Sequence, residues 1–251
     1  MAKKTAEVTS LDIPAIEREA AKFGIVGTTP FIFNRLSQKA QRELLLPSKK
    51  KTTVEKAGSL KHNPPKEYRD SVYTTSEGDT ALCFPATAFK KSLASSALRI
   101  PGAKKTEIGQ LVRIHGYRVP IWGIPQVYMT GVRSADMNKT PDIRTRAIVN
   151  EWATTIEVSF IRPLLTLKAI MNLFVAAGEI MGVGDGRQEK GALDFGSFRI
   201  VQPGDEDYIR ICKTGGRDEQ LAALDEPTMF DDETSDLWSW WHQEAKDREM
   251  I

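Results

Sequence analysis

Residues 153–201 read ATTIEVSFIRPLLTLKAIMNLFVAAGEIMGVGDGRQEKGALDFGSFRIV, and the interpretation of the whole fold starts from them. Apolar side chains alternate over residues 156–160, which predicts a strand that ends before Pro163. Apolar side chains then recur at helical spacing over residues 164–181, and residues 198–201 again favour a strand. The segment therefore predicts a strand, a helix, a long loop and a second strand.

The loop of this unit is rich in glycine, with five glycines among the 20 residues from Gly182 to Val201. Glycines at this density let the backbone adopt positive φ and approach another segment closely. Successive amide groups can then face phosphate oxygens, and Arg187 and Lys190 would add positive charge. The loop follows a helix and precedes a strand, so it is not a dinucleotide-binding fingerprint. The alternative is a long turn in which the glycines serve only the backbone.

A second strand–helix unit is predicted earlier in the chain. A strand should end near Gly27, with a turn to Pro30 and a helix over residues 37–46. A short strand should reach Phe84, and a helix capped by Thr87 should cover residues 87–98. Two copies of strand, helix and strand with further strands between them predict an α+β domain of the split-βαβ or ferredoxin-like type, with insertions.

Composition divides this domain from its flanks. We expect a flexible N-terminus (1–14), a folded domain (15–204) and an acidic extension with three tryptophans (205–251), which docks either on its own domain or on a neighbouring subunit. Within the domain, residues 48–80 are lysine-rich with little apolar periodicity, which predicts a mobile basic insertion or simply a solubilising loop. The polar run 137–152 is predicted to be a loop.

Net charge is distributed unevenly along the chain. The whole chain carries +2, and residues 205–251 contain 14 acidic and five basic residues, so residues 1–204 carry +11. A basic body with an acidic extension is typical of proteins that bind nucleic acid. The alternative is that these charges only solvate the surface.

Several function classes lack support in the sequence. No apolar run approaches the roughly 20 residues that span a membrane, and the start MAKKTAEVTSLD lacks the apolar core of a signal peptide. Cys83 and Cys212 have no metal-ligand spacing, and two isolated thiols favour the cytoplasm. No nucleophile or cofactor motif is present, so neither catalysis nor a cofactor is expected.

Four segments occur in an order that resembles a known superfamily. They are FGIVGTTPF (23–31), FPATAFKKSLASSAL (84–98), SADMNKTPDIRTRA (134–147) and GVGDGRQEKGALDFGSFRI (182–200). The chain resembles the repeat-associated mysterious protein (RAMP) superfamily, and most closely the backbone subunit of CRISPR effector complexes. In that family the second segment commonly reads Ile-Pro-Gly-Ser-Ser-Leu-Lys-Gly-x-Leu-Arg, and the glycine-rich loop leads to Gly-Phe-Gly-x-x-x-Ile, to which DFGSFRI (194–200) is similar.

This resemblance implies both a fold and a partner. The implied fold is an RRM-like (ferredoxin-like) palm, with residues 48–80 and 131–150 projecting as finger or thumb. The implied partner is single-stranded nucleic acid, along which subunits would associate head to tail. The chain also resembles uncharacterised proteins of tailed bacteriophages and prophages through NPPKEYRDSVY (63–73) and GVGDGRQEKG (182–191).

Our hypothesis from the sequence is a non-enzymatic, oligomeric protein of phage or prophage origin that coats single-stranded RNA or DNA in the bacterial host cytoplasm. Phosphate contacts should dominate, and Phe195, Trp122 and Tyr128 are candidates for base stacking. The expected nucleic-acid-binding residues are Lys90, Lys91, Arg133, Lys139, Arg144, Arg146, Gly182, Gly184, Gly186, Arg187, Lys190 and Phe195.

Two other functions remain open. One is a metal-dependent RNA endonuclease of the same superfamily, which would use Asp136, Asp142 or His115. Asp185 also lies in a loop that could be near a ligand. The alternative is that these aspartates only form turns. The other is a mimic of the backbone subunit that binds a protein partner.

Overall fold

The computed structural model describes residues 15–46, 61–133, 140–190 and 193–249, and it is a mixed α+β structure. The strands are β1 Glu17–Gly27, β2 Phe31–Ile32, β3 Tyr73–Thr74, β4 Leu82–Pro85, β5 Val112–Ile114, β6 Arg118–Pro120, β7 Pro125–Arg133, β8 Pro141–Val149, β9 Ala153–Arg162 and β10 Phe198–Val201. The α-helices are α1 Gln38–Leu45, α2 Pro64–Ser71, α3 Ala86–Ser96, α4 Lys105–Leu111, α5 Leu167–Ala176, α6 Glu206–Thr214, α7 Arg217–Asp225 and α8 Asp232–Asp247. Short turns of other helix types span Ala97–Arg99, Ala177–Met181 and Gln188–Lys190.

The main sheet has four antiparallel strands in the order β10-β1-β9-β5. Helices α3 and α5 cover one face of it. Phe23 of β1 stacks on Phe174 of α5 with ring centroids 5.0 Å apart, and Phe198 of β10 packs against Phe89 of α3 at 6.2 Å. Phe23 and Phe198 share a face because Phe198 lies opposite Gly27, four residues along β1 from Phe23. The predicted strands that end near Gly27 and span residues 156–160 and 198–201 are therefore confirmed, and they share one apolar core with α3 and α5. The predicted Thr87 cap is wrong, because α3 begins at Ala86 and Thr87 lies within it.

The other face of the main sheet is covered by α6. Val26 of β1, Ala153 of β9 and Ile211 of α6 form a separate buried cluster, against which Trp122 and Tyr208 pack. The acidic extension thus begins by closing the open side of the sheet. No helix in the described ranges is long and apolar enough to cross a lipid bilayer.

A long hairpin replaces the loop expected over residues 137–152. Strands β7 and β8 pair antiparallel along their full lengths, and β2 adds to the other edge of β8. The loop prediction is wrong for residues 141–149, where Ile143, Ala147 and Val149 alternate toward the core and the polar residues between them obscure the pattern.

The described part of the lysine-rich segment is packed into the core. Asn63 caps α2 by accepting from the Lys66 amide at 3.1 Å, and prolines begin the helix, where they cost no hydrogen bond. Tyr68 is fully buried, and its hydroxyl lies 3.1 Å from the carbonyl of Pro125 and 3.0 Å from that of Ala223. The prediction that residues 61–80 lie outside the packed core is therefore wrong, because the buried Tyr68 anchors an otherwise polar helix. Residues 48–60 lie outside the described residues.

The acidic extension packs on its own chain. Gln220 of α7 is fully buried, with Oε1 accepting from the amides of Ala81 and Leu82 at 2.8 and 2.9 Å. Its Nε2 lies 2.7 Å from the carbonyl of Ile121 and within hydrogen-bond distance of two further carbonyls. Thr234 of α8 accepts from the Met129 amide at 3.1 Å, which joins α8 to β7.

Candidate nucleic-acid interface

A groove of about 250 Å³ lies between the start of α3 and the glycine-rich loop. It brings together residues that are about 90 positions apart in the chain, among them Lys91, Gly182, Gly184 and Arg187 from the predicted set. Tyr73, Thr87, Ala88 and Ser92 also line this groove.

The first turn of α3 opens onto this groove. Pro85 precedes the helix and no side chain caps it. The Ala86 amide donates to the carbonyl of Tyr117 at 3.1 Å, while Thr87 and Ala88, the next two residues, line the groove. Amide groups in the first turn of a helix lack intrahelical partners and favour anions.

One buried hydroxyl in the groove is unsatisfied. Ser92 is only 4% exposed, and its Oγ has no hydrogen-bond partner among the residues that the structure describes. Native proteins pair most buried polar groups, so such an atom needs an explanation. Lys91, exposed on the same helix, also lines the groove and provides a positive charge. Nothing in the sequence distinguishes Ser92 from its neighbours, because only the tertiary packing buries it.

The glycine-rich loop is built against its own chain. Gly182 and Gly184 have φ of 67° and 85°, in the left-handed region that favours glycine. A Cβ on Gly184 would lie 2.8 Å from the carbonyl oxygen of Ile32, and the Asp185 amide donates to that same oxygen at 3.0 Å. The added carbon would therefore collide with the protein, so these glycines allow close backbone packing in addition to lining the groove.

Arg187 is held in place by two contacts. Its Nε lies 2.8 Å from a carboxylate oxygen of Glu189, and its Nη1 donates to the carbonyl of Gly184 at 3.1 Å. Burial tends to raise the pKa of Glu189, but hydrogen bonding and the charge of Arg187 bring it below its ordinary value. The guanidinium is thus oriented at the groove, with part of its charge balanced by Glu189.

The two arginines of β8 differ in their surroundings. Arg146 is 8% exposed and pairs with Asp185 of the glycine-rich loop, the Nη1–Oδ2 distance being 2.5 Å. Burial lowers the pKa of Arg146, and the charge of Asp185 opposes this. Arg144 lies two residues away on the same face of β8 and is exposed. Arg146 is therefore engaged within the protein, while Arg144 is exposed on the same face of β8.

The remaining predicted residues are distributed as follows. Lys190 and Arg133 are exposed, and Lys90 is half-buried. Arg133 ends β7 opposite Pro141, so the arginines predicted on a loop lie on paired strands. Gly186 supports the loop beside Phe195, whose ring would lie 3.0 Å from an added Cβ. Lys139 and Asp136 lie outside the described residues.

The three aromatic residues predicted to stack on bases are engaged in packing. Phe195 and Tyr128 are half-buried, and their ring centroids lie 6.2 Å apart. Tyr128 also meets Phe230 edge to face at 5.6 Å, and Trp122 packs into the cluster beneath α6. Each of these rings therefore has part of its surface covered by the protein.

The carboxylates considered for metal chemistry are bound to cationic side chains. Asp185 pairs with Arg146, while Asp142 lies 2.6 Å from Lys61 Nζ and 3.0 Å from His62 Nε2. Within the described ranges, no group of three or more histidine, cysteine, aspartate or glutamate residues could hold a metal ion.

Comparison with known proteins adds no assignment. The chain matches none of the protein-family models against which it was compared, and no curated protein is significantly similar to it. Any function must therefore be argued from the groove and its surroundings.

Proposed function

We propose that this protein binds single-stranded nucleic acid, RNA or DNA, and that the groove between α3 and the glycine-rich loop holds a phosphate of the strand. The single observation that supports this most directly is that Lys91, Arg187 and the uncapped start of α3 line one groove. All of these groups are suited to anionic oxygen.

The chemistry of the groove agrees with a phosphate ligand. Amides at the start of α3 are hydrogen-bond donors, and Lys91 supplies a full positive charge. Arg187, already oriented by Gly184 and Glu189, adds a planar donor on the opposite wall. A phosphodiester would satisfy these donors together, whereas a neutral ligand would leave the ammonium group unpaired.

Charge beyond the groove supports a path for a longer strand. Arg144 and Arg133 are exposed on the β7–β8 hairpin, and Arg144 shares a face with Arg146, which contacts the glycine-rich loop. Within the extension that carries the excess acidic charge, α6 packs over the face of the main sheet opposite α3 and α5. Phosphate contacts distributed in this way bind many sequences with similar affinity.

We also propose that the main sheet is an RRM-like (ferredoxin-like) palm. Supporting this, the chain runs β1, α3, β5, β9, α5 and β10, and the strands lie in the order β10-β1-β9-β5 with both helices on one face. The β7–β8 hairpin would be the thumb. Because α6 covers the sheet face on which RRM domains stack bases, the ligand would lie at the groove instead.

Head-to-tail self-association and a phage or prophage origin complete the proposal, and both rest on the family resemblance. Subunits that bind a strand through its repeating phosphates can follow it by translation along its length. Size-exclusion chromatography coupled to light scattering, with and without a long oligonucleotide, would test this part.

The phosphate contact can be tested with one lysine and a matched control. Anisotropy of labelled U20 RNA and dT20 DNA should report binding whose log K falls linearly with log salt. Lys91→Ala should weaken binding to both and reduce the slope by roughly 0.7. Lys213→Ala, which removes the same charge from an exposed position on α6, should have little effect. No binding at low salt, or equal effects of both variants, would contradict the proposal.

A further inference from the structure

An arginine held between two tyrosines lies beside the groove. The Cζ atom of Arg118, on β6, is 5.1 Å from the ring centroid of Tyr73 and 5.7 Å from that of Tyr117. Arg35 approaches the Tyr73 ring as well, at 5.8 Å. Tyr117, in the turn between β5 and β6, is 81% exposed. We define these four residues as the Tyr–Arg surface.

The guanidinium groups of this surface are held in place by contacts with backbone carbonyls. Arg118 Nη1 donates to the carbonyl of Thr74 at 3.2 Å and contacts the sulfur of Cys83 at 3.4 Å. Arg35 Nη1 donates to the carbonyl of Val72 at 3.4 Å. Over the described part of the chain, neither arginine forms an ion pair with a carboxylate. A single exposed tyrosine is ordinary on a protein surface, but one whose ring lies beside an ordered, unneutralised guanidinium is a preformed flat cationic surface.

The Tyr–Arg surface continues from the phosphate groove. Tyr73 lines that groove, and the carbonyl of Tyr117 accepts from the Ala86 amide at the start of α3. Arg118 also pairs with Pro85, the residue that precedes α3. The flat surface therefore adjoins the phosphate site through two direct backbone connections.

We propose that the Tyr–Arg surface stacks an unpaired nucleobase of the strand whose phosphate occupies the groove, with Tyr117 providing the exposed face. This inference rests on the proposed function and names the residues that contact bases. Aromatic rings and arginine planes bind bases by stacking, which tolerates any sequence because every base has a π face. Stacking here would also hold bases without Phe195, Tyr128 and Trp122, whose rings are partly covered by neighbouring residues.

Substitution of Tyr117 tests the stacking contact. Tyr117→Ala should weaken binding of U20 and dT20 by roughly 5- to 100-fold without changing the salt slope. Tyr117→Phe, which keeps the ring, should bind within about twofold of the original protein. Trp240→Ala is the matched control, because Trp240 is another exposed aromatic (63%) but lies on α8. Since Tyr117 is exposed, thermal melting should show that all three variants fold.

A base analogue separates stacking from other effects. An oligonucleotide with 2-aminopurine should lose fluorescence on binding the original protein, and keep it on binding Tyr117→Ala. If Lys91→Ala flattens the salt dependence while Tyr117→Ala leaves affinity and quenching unchanged, the stacking proposal is wrong and the phosphate groove stands. If the original protein binds neither RNA nor DNA, both proposals are wrong. A change of salt slope in Tyr117→Ala would also overturn stacking.

Discussion

The guanidinium of Arg146 on β8 contacts the carboxylate of Asp185 in the glycine-rich loop across 2.5 Å, with the arginine almost fully buried. The two residues belong to segments that the sequence presents as separate basic loops. Their ion pair joins the β7–β8 hairpin to the groove, and it places the exposed Arg144 on the same side as the proposed phosphate site.

Removal of Asp185 should destabilise the protein. Asp185→Ala would leave the buried charge of Arg146 without its partner, and we expect a loss of about 2 kcal/mol in unfolding free energy, less than for a fully buried pair because Asp185 is partly exposed. Urea unfolding would measure it. The double variant Asp185→Ala/Arg146→Met should recover part of the loss. Additive effects of the two substitutions would show that the pair is not coupled.

An added methyl group at Gly184 should be more costly than one at Gly204. Both glycines have positive φ, 85° and 90°, but only Gly184 would bring its Cβ against protein atoms, whereas nothing lies within 4 Å at Gly204. Gly204→Ala should therefore cost about 1 kcal/mol from backbone strain alone. Gly184→Ala should cost about 1–3 kcal/mol more, from the clash with the Ile32 carbonyl. Equal losses in thermal or urea unfolding would contradict the close approach.

Gln220 should be essential for the attachment of the acidic extension. Gln220→Ala would leave two buried amides and several carbonyls unsatisfied, so we expect a loss of more than about 2 kcal/mol. Gln220→Glu should be at least as harmful, because its carboxylate would face carbonyl oxygens. Gln243→Ala, at an exposed site on α8, is the control. Unchanged stability, or unchanged proteolytic resistance of residues 205–249, would show that Gln220 is not needed.

The ion pairs of Asp142 should make stability depend on acid pH. The hydrogen bond from Lys61, opposed by partial burial and helped by His62, lowers the pKa of Asp142 below its ordinary 3.8. Because the pKa of Asp142 is lower in the folded protein than in the unfolded chain, ionised Asp142 stabilises the fold at pH values above the unfolded pKa. This stabilisation is lost as pH falls through the folded pKa. Below about pH 4, the loss of stability should therefore be shallower in Asp142→Asn than in the original protein. Asp236→Asn, on the exposed face of α8, should not change the curve.

The sequence predicted the strands and helices of the main sheet better than β8 and α2. The strand and helix units around Phe23, Phe89 and Phe174 could be recognised because their apolar residues follow periods of two and 3.6. Strand β8 and helix α2 were missed because each mixes charged residues with few core positions. Their backbone is stabilised by partners distant in sequence, as Tyr68 illustrates through its contacts with Pro125 and Ala223.

The candidate site could be predicted only in part. Lys91, Gly182, Gly184 and Arg187 were selected for their residue types, and they do line one groove. The sequence alone determined the α+β class, the apolar core of the strand–helix units and the opposite charges of body and extension, because these depend on periodicity and composition. Only the tertiary structure decided that Arg146 faces Asp185, that Ser92 is buried without a partner and that Tyr117 adjoins the groove. Burial and pairing are set by segments far apart in the chain, and no local pattern records them.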